Sequence, residues 1–348
     1  MEVRFIWFDS LGAKSSCTLV RTKDASILID PGIAVMHPSF PAPREAKLKW
    51  FQEGFEAIKR AAKLADIVVI THYHYDHFVD FDEGIYLGKD IFIKDPNRYI
   101  NDSQRGRSLS FFSNLYGSLG LKLEELMEPP EGGDYRDPLE ELPIASRKDF
   151  GEYNTRREEL LTAGLRWFNL RVNKWNSYRR IPELEGKGLR VRFADGKSFK
   201  IGGTKIKFTK PFFHGVEFSR LGWVIGVVIE EGSEKFLYSS DLNGPVIEDY
   251  ANWIVSESAD VMVVDGPPTY LLGYTMNLIN FRRALANAME IVKNSKAKLI
   301  IYDHHLPREP KFKERTKEVW ELAKNYGKKL STVAEYFNLK PAVLKYLK

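Results

Sequence analysis

The pattern of apolar positions in the first hundred residues predicts short strands and one long helix. Runs rich in β-branched and aromatic residues, separated by turn residues, predict strands at 3–8, 17–21 and 26–29. From 45 to 65 the apolar residues recur at steps of three and four, which is typical of an amphipathic helix with one buried face. A continuous apolar run at 67–70 follows directly and predicts a buried strand.

The same order of helix and strand returns in the second half of the chain. Apolar residues from 281 to 292 share one helical face, and a strand predicted at 299–302 follows them. Further strands are predicted at 204–209, 223–230, 235–239 and 261–264. Strands outnumber helices, yet helices flank the buried apolar strands. This pattern predicts an α/β (α+β) fold in which sheets pack together and helices lie outside them.

The stretch from about 96 to 200 differs from the rest of the chain. It is rich in Arg, Glu, Tyr and Pro, and its apolar residues have little regular period. We interpret it as an insertion or cap on one domain that spans residues 1–310. The tail at 311–348 has helical periodicity, so we expect a C-terminal helical extension there.

Composition excludes several classes of protein. Of the 348 residues, 43% are hydrophobic and 28% are charged, which provides a sizeable core and argues against a disordered chain. No apolar run approaches the roughly 20 residues that span a bilayer, so no membrane partner is expected. A single cysteine, Cys17, cannot form an internal disulfide, which predicts a cytoplasmic protein. Plentiful Lys and Glu with only two Gln favour a thermophilic source, and the net charge of +5 is compatible with an anionic partner.

The densest group of metal-binding residue types follows the strand at 67–70. Within six residues stand His72, His74, Asp76 and His77. Imidazole and carboxylate are good zinc ligands, and alternation places His72 and His74 on the same side, where they can share one ion. Asp76 and His77 lie beyond the turn and can reach a second ion. Burying these groups without a metal would leave unpaired polar groups at a cost of about 1–3 kcal/mol each, so the sequence favours a metal site.

Four more residues occupy equivalent positions after other predicted strands. They are His214, Asp241, His304 and His305. Ligand-binding residues collect at the carboxyl ends of strands because the loops there converge. Each of these residues alone would be interpreted as structural. The cluster at 72–77 is what makes each of them a candidate metal ligand.

Together these residues resemble the motifs of the metallo-β-lactamase superfamily. The match consists of Asp30 in the segment 28–32, the His-x-His-x-Asp-His run at 72–77, His214, Asp241, and His304 or His305. The five motifs come in the order of that family over residues 1 to about 310. The segments 10–15 and 303–308 look most like an archaeal family of that fold with no established substrate.

The resemblance implies a four-layer αββα sandwich with a two-metal site in the groove between the sheets. The large insertion would then lie between the second and third metal motifs. The ligands of a first zinc ion would be His72, His74 and His214. The ligands of a second zinc ion would be Asp76, His77 and either His304 or His305. Asp241 would bridge both ions, and Asp30 would hold the ligand loop in place.

The choice between the adjacent His304 and His305 stays open in the sequence. We favour His304, which lies nearest the strand end and stands four residues before Arg308. That spacing resembles the one in tRNA-processing members of the superfamily. Another transition metal is the alternative to zinc.

The resemblance also implies metal-assisted hydrolysis. Two zinc ions about 3.5–4 Å apart would share a bridging water and lower its pKa toward about 7. The resulting zinc-bound hydroxide, oriented by Asp76, would be the nucleophile. Arg308 is either a clamp on a phosphate group beside the metals or an ordinary solvated residue. We therefore expect a metal-dependent hydrolase with Asp76 and Arg308 as catalytic residues.

A phosphodiester, as an anionic small molecule or in a nucleic acid, is the expected substrate. A thioester, lactone or other carboxylic ester is the alternative, and a metal-binding protein without turnover is the third hypothesis. The segment 164–180 carries five basic residues and no acidic one, with aromatic residues between them. It could stack bases and pair phosphates. We favour instead an amphipathic helix that packs its Trp and Leu side chains on the core and exposes its arginines.

Overall fold

Two large sheets form the centre of the fold. The computed structural model describes residues 1–186 and 188–347. The strands of the first sheet are β1 (Glu2–Phe8), β2 (Ser16–Arg21), β3 (Ser26–Ile29), β4 (Ile67–Ile70), β5 (Asp90–Ile93), β6 (Leu184–Gly186) and β7 (Leu189–Phe193). Their order is β1-β2-β3-β4-β5-β7-β6. The four strands β3, β4, β5 and β7 run parallel, so their carboxyl ends meet at one edge of the sheet.

The second sheet is built in the same way from the second half of the chain. The remaining strands are β8 (Ser198–Ile201), β9 (Thr204–Phe208), β10 (Phe212–Phe213), β11 (Trp223–Val224), β12 (Val227–Glu231), β13 (Glu234–Tyr238), β14 (Val261–Asp265), β15 (Leu299–Asp303) and β16 (Lys329–Ser331). The sheet has the order β16-β15-β14-β13-β12-β9-β8, and β13 to β16 run parallel. The strands β10 and β11 pair with each other as a separate two-stranded ribbon.

The two sheets pack face to face because apolar residues occupy both sides of the central strands. In β4, Ile67 and Val69 lie in a buried cluster with Ile301 of the second sheet. The alternate residues of β4, Val68 and Ile70, belong to a different cluster, which includes the buried faces of the helices. A strand that is apolar on both faces is typical of a sheet covered on both sides. The predicted four-layer αββα sandwich is confirmed.

Helices cover the outer faces of both sheets. The helices of the described chain are α1 (Arg44–Ala62), α2 (Glu83–Tyr86), α3 (Asp102–Gly117), α4 (Leu123–Leu126), α5 (Pro143–Ser146), α6 (Tyr153–Trp175), α7 (Glu248–Ser256), α8 (Leu278–Asn294), α9 (Phe312–Arg315), α10 (Lys317–Asn325) and α11 (Val333–Tyr336). Helix α1 buries Ile58 and Ala62 beside the first sheet, and α8 buries Ile291 beside the second. Among the described residues, no helix combines the length and the apolar character needed to cross a membrane.

The insertion between β5 and β6 contains α3 to α6 and packs through aromatic rings. The Trp175 side chain donates its Nε1–H to the carbonyl of Ile100 at 2.8 Å. Trp223 of the β10–β11 ribbon stacks on Trp167, with ring centroids 5.5 Å apart, and lies 5.3 Å from Trp175. The cap therefore rests on the ribbon that leads to His214.

The boundaries of the insertion differ from the predicted 96–200. Leu184–Gly186 and Leu189–Phe193 form β6 and β7 of the first sheet, and Ser198–Ile201 forms β8 of the second. Charged residues alternate with apolar ones in these short strands, so their composition resembles that of the cap. The sequence pattern therefore does not show where the cap ends and the strands begin. The cap proper ends before Leu184.

The C-terminal segment is not purely helical. Besides α9, α10 and α11, it contributes β16, which pairs in parallel with β15 at the edge of the second sheet. A strand of three residues, Lys329 to Ser331, gives almost no sequence signal. Thr332 then caps α11 by accepting from the backbone N–H of Glu335, whose side chain reaches back to Thr332.

The basic segment at 164–180 forms the last half of α6 and the turn that follows it. Contrary to the expected exposure of its arginines, Arg171 is buried and lies 2.6 Å from Asp102, which Lys174 also contacts at 2.9 Å. Arg179 donates to two backbone carbonyls, and Arg180 pairs with acidic residues of the cap. Most of these cations are therefore used inside the cap.

A buried group of ion pairs connects the cap to the second sheet. Arg283 of α8 lies 2.8 Å from both Glu217 and Glu248. Arg157 of α6 lies 2.9 Å from the same Glu217, which stands three residues after His214. These side chains are almost entirely buried, so each charge depends on its partner.

Removing Arg283 should destabilise the protein far more than removing an exposed arginine. Arg283→Met leaves Glu248 buried without its ion-pair partner, and such a loss costs about 3–5 kcal/mol. Chemical denaturation followed by circular dichroism measures the free energy of unfolding. Arg156→Met is the matched control, because its pair with Glu159 is exposed on both sides and contributes at most about 1 kcal/mol. Equal losses in the two variants would contradict the prediction.

Candidate metal centre

The ligand candidates at 72–77 share one tight loop directly after β4. His77 and Phe78 both donate their backbone N–H to the carbonyl of His74, at 2.8 and 3.2 Å, which closes the loop. Gly32 packs against it, since a Cβ at this position would lie 2.1–2.3 Å from backbone atoms of His77 and Phe78. Only glycine permits this approach, so the Asp-Pro-Gly turn determines where the loop lies.

Asp30 lies behind this loop and contacts it through both carboxylate oxygens. Its Oδ1 accepts from the backbone N–H of Thr71 at 2.8 Å. Its Oδ2 accepts from the hydroxyls of Thr71 and Tyr238, at 2.7 and 2.8 Å, and lies 2.7 Å from Nδ1 of His77. The contact at Nδ1 turns Nε2 of His77 toward the centre.

Asp241, which follows β13, lies among the histidines. Its Oδ2 is 3.0 Å from Nε2 of His214 and 3.6 Å from Nε2 of His72. Its Oδ1 is 3.1 Å from Nε2 of both His77 and His304. The two oxygens of one buried carboxylate therefore face two different groups of imidazoles.

These residues form two neighbouring sets of possible metal ligands. The first set is His72, His74, His214 and Asp241, and the second set is Asp76, His77 and His304. Within each set, the possible ligand atoms all lie within 4.8 Å of one another. Three or four nitrogen and oxygen donors at this spacing are enough for one transition-metal ion. The structure thus brings together all the residues that the sequence assigned to two ions.

His304 and His305 face different parts of this centre. Nε2 of His304 belongs to the second set. The Nδ1 atom of His305 lies 2.9 Å from Oδ1 of Asp265, and its Nε2 lies 3.9 Å from Oδ2 of Asp241. His305 also forms a possible ligand group with Asp241 and His304. The distances group His304 with the second set and place His305 beside the opposite oxygen of Asp241.

Several buried polar atoms in the two sets have no hydrogen-bond partner among the described residues. They include Nε2 of His72 and Nδ1 of His214. An unpaired buried polar atom costs about 1–3 kcal/mol, and a cation held by these lone pairs would remove that cost. The donor types suit zinc and related transition metals. The residues present therefore fit a metal centre.

The two sets differ in charge. Burial lowers the pKa of His72 well below its usual range and lowers that of His74 to about 3, so both are neutral imidazoles. Burial also opposes protonation of His77, but the carboxylates of Asp241 and Asp30 raise its pKa to about 10. A metal binds the neutral imidazole, so the second set must release a proton when a cation enters.

Asp76 and Arg308 lie side by side at the second set. Nη2 of Arg308 is 3.4 Å from Oδ2 of Asp76, and Nη1 donates to the hydroxyl of Tyr270 at 3.1 Å. The Nε atom of Arg308 pairs with Asp9. Burial favours the neutral form of Asp76, but His77 and the neighbouring cations hold its pKa well below the usual range. Arg308 therefore lies next to one of the ligand candidates of the second set.

Two buried acids that support these residues were missed by the sequence analysis. Asp9 accepts from the backbone N–H of Ser15 at 2.9 Å, lies 3.2 Å from Nδ1 of His304 and pairs with Arg308. Asp265 contacts Nδ1 of His305, as described above. Each directly follows or ends an apolar strand, which is the signal that identified Asp241. Applied to every strand, the same rule would have found them.

Asp303 is a third missed acid and connects the two ends of the chain. Its carboxylate accepts from the backbone N–H of His304 and of Val333, each at 2.7 Å. It also accepts from the backbone N–H and the hydroxyl of Ser10, at 3.2 and 2.5 Å. The C-terminal segment therefore helps to hold the loop that carries His304.

Comparison with known proteins gives one consistent result. Residues 12–84, which include Asp30 and the loop at 72–77, match the model of the metallo-beta-lactamase superfamily. The chain is 32% identical over 331 residues to a UPF0282 protein of Korarchaeum cryptofilum, with 94% of this chain and 86% of that protein covered. It is 30% identical over 338 residues to a UPF0282 protein of Methanopyrus kandleri, with 93% and 91% covered. The solved metallo-beta-lactamase fold protein YhfI of Bacillus subtilis is 14% identical, with 95% of both chains covered and a TM-score of 0.40.

Replacing Gly32 should reduce metal binding. In Gly32→Ala the new methyl group would overlap backbone atoms of His77 and Phe78, so the ligand loop must shift away from its position. Elemental analysis should find fewer ions per chain than in the wild type. Gly106→Ala in α3 is the control, because a Cβ there meets nothing within 4 Å, and it should keep its full metal content. Full metal content in Gly32→Ala would show that the close approach is not needed.

Elemental analysis of the wild type should find about two zinc-like ions per chain. His72→Ala and His74→Ala should lower this content. His304→Ala should empty the second set, whereas His305→Ala should leave the content nearly intact because Nε2 of His305 lies farther from Asp241. The reverse result for the two adjacent histidines would reject the assignment of His304.

Proposed function

Because the chain belongs to the archaeal UPF0282 family of the metallo-β-lactamase superfamily, whose members are metal-dependent hydrolases or oxygenases, we propose that it is a hydrolase with a dinuclear zinc centre. The observation that carries the proposal is the division of imidazoles between the two oxygens of Asp241. Its Oδ2 faces the first set, and its Oδ1 faces the second. A carboxylate in this position suits a bridge between two ions.

The ligands in this proposal follow the two sets. His72, His74 and His214 hold one ion. Asp76, His77 and His304 hold the other, and Asp241 is shared. The chemistry that a zinc pair supplies when bound is Lewis acidity, which lowers the pKa of water toward about 7 and polarises the bond under attack.

The open side of the centre identifies where water and substrate arrive. Within the two sets, His74 and Asp76 are partly exposed and the other members are buried. Tyr75, which stands between them, is 46% exposed. Asp76 is therefore the acid that meets the attacking water, and its carboxylate accepts a hydrogen bond that orients the nucleophile.

A phosphodiester is the substrate class that this arrangement favours. A metal pair held by these residues would supply the Lewis acidity that an in-line displacement at phosphorus requires. Arg308, next to Asp76, provides a cation for the phosphate oxygens that do not react. The basic segment of the cap adds little to this argument, since Arg171, Arg179 and Arg180 already have partners inside the protein.

A paired assay of phosphodiesters against thioesters and lactones tests the proposal. Zinc-loaded wild-type protein should hydrolyse phosphodiesters, and Asp76→Asn should have no activity above background. Arg308→Ala should raise the barrier by about 2–4 kcal/mol, because it removes a cation that contacts charge in the transition state. Arg166→Ala is the control, since Arg166 is exposed on the cap and should leave the rate unchanged.

The same assay distinguishes the alternatives, provided that metal content is measured for each variant. Turnover confined to carbonyl substrates and unaffected by Arg308→Ala would reject the phosphodiester and support a thioester, lactone or other carboxylic ester hydrolase. A zinc-loaded protein that is inert toward every substrate class would support a metal-binding protein without turnover.

A further inference from the structure

We propose that a cavity between the cap and the second sheet binds a monocarboxylate with an apolar body. This cap cavity has a volume of about 540 Å³, and sites for small molecules commonly have about 300–1,000 Å³. The residues that carry the argument all line it; they are Leu160, Leu161, Trp167, Phe218, Arg220 and Ile279. Among the described residues that line it, none is a candidate metal ligand, so the proposal is independent of the proposed function.

Large apolar side chains of three segments line the cap cavity. Leu160, Leu161 and Trp167 belong to α6, Phe218 to the chain between β10 and β11, and Ile279 to α8. Leu160 is 45% exposed. A ligand that covers such a side chain removes apolar surface from water, at a gain of about 25 cal/mol for each Å². These walls therefore favour an apolar ligand body.

The buried charges of the cap cavity already match one another. Arg157 and Arg283 line the cavity together with Glu217, and they lie 2.9 and 2.8 Å from that carboxylate. Arg283 also lies 2.8 Å from Glu248. Two cations and two carboxylates cancel in this group, so it adds no net charge to the cavity.

Arg220 is the lining cation that this group leaves over. Its carbonyl accepts from Nδ2 of Asn101 at 2.9 Å, which holds its backbone. The residue is exposed, and within residues 1–186 and 188–347 its guanidinium group has neither an ion pair nor a hydrogen bond. Because Arg220 is exposed and lines the cavity, it lies at the opening. A guanidinium group binds a carboxylate through two parallel hydrogen bonds, so the opening favours that head group.

Two contacts hold the cap cavity in shape by fixing α6 against the chain that follows His214. At Gly164, an added Cβ would lie 2.6 Å from side-chain atoms of Phe218, so glycine is what permits this close approach. At Arg157, the buried ion pair with Glu217 holds the same helix to the same segment. The cavity is therefore formed before a ligand enters, which keeps the cost of ordering low.

Calorimetric titration of the full chain with decanoate, below the concentration at which it forms micelles, tests the proposal. The wild type should bind decanoate about tenfold more tightly than decanol, which has the same apolar body without the charge. Arg220→Met should weaken decanoate binding about tenfold, because hydrogen bonds to the charged head are lost, and should leave decanol binding unchanged. Its midpoint of thermal unfolding should equal that of the wild type, since Arg220 is exposed.

Arg166→Met is the matched control for the charge. Arg166 is also an exposed arginine of the cap region, but it does not line the cavity, so this variant should bind both ligands like the wild type. Ile279→Trp tests the apolar walls. Its larger side chain occupies part of the cavity and should weaken the binding of both decanoate and decanol, and its thermal unfolding shows whether the variant is folded.

Three results would overturn the proposal: no binding of decanoate to the wild type, equal affinities for decanoate and decanol, or equal losses in Arg220→Met and Arg166→Met. His74→Ala should bind decanoate like the wild type, because His74 does not line the cavity. Loss of binding in His74→Ala would place the carboxylate at the metal centre and also overturn the proposal. The titration measures no turnover, so its result stands whether or not the protein is a hydrolase.

Discussion

The buried carboxylate of Asp241 is the constraint on which the arrangement of the centre depends. An ionised carboxylate in a protein interior costs several kcal/mol unless its charge is matched. Here the match comes from imidazoles at both oxygens, 3.0–3.6 Å away, supplied by loops of both sheets. The apolar core between the sheets brings the strand ends together, and Asp241 then fixes how far apart they stand. A shift of one sheet against the other would break the contacts of Asp241 with His72 and His77, which follow a strand of the first sheet.

Four further buried acids hold the backbone and side chains around Asp241. Asp30 holds the ligand loop, Asp9 and Asp303 hold the segment with His304, and Asp265 holds the neighbouring imidazole. The backbone at three positions around the centre is left-handed, with φ of 48° at Asp30, 59° at Ser240 and 62° at His304. Non-glycine residues adopt this conformation at a cost of about 1–3 kcal/mol, and they keep it only where the surroundings demand it. At two of these positions an acid holds the local backbone: Asp303 accepts from the backbone N–H of His304 at 2.7 Å, and Asp30 itself accepts from the backbone N–H of Thr71 at 2.8 Å.

The layers of the sandwich and the candidate metal ligands could be predicted from the sequence because each produces a repeated pattern of residues. The two-sided apolar strand at 67–70 and three histidines within six residues are patterns that chance seldom produces. Each supporting acid is an isolated residue in the sequence, and a single Asp after a strand is usually a turn residue. The three-residue strand β16 is too short for any period, and the partners of Arg171 lie far away in sequence, at Asp102. Apart from the acids at strand ends, what the sequence missed is therefore set by tertiary contacts rather than by local pattern.

The cap contributes to the centre through the backbone of the ligand loop. The N–H of Tyr73 donates to the side chain of Gln104 at 3.2 Å, and its carbonyl accepts from Arg107 at 3.0 Å. Because Tyr73 stands between His72 and His74, helix α3 holds the first set from outside. The first set thus contains two neutral imidazoles, His72 and His74, whereas the second set is bordered by the guanidinium of Arg308. An anionic substrate meets that cation only at the second set, so this asymmetry orients it before any bond is broken.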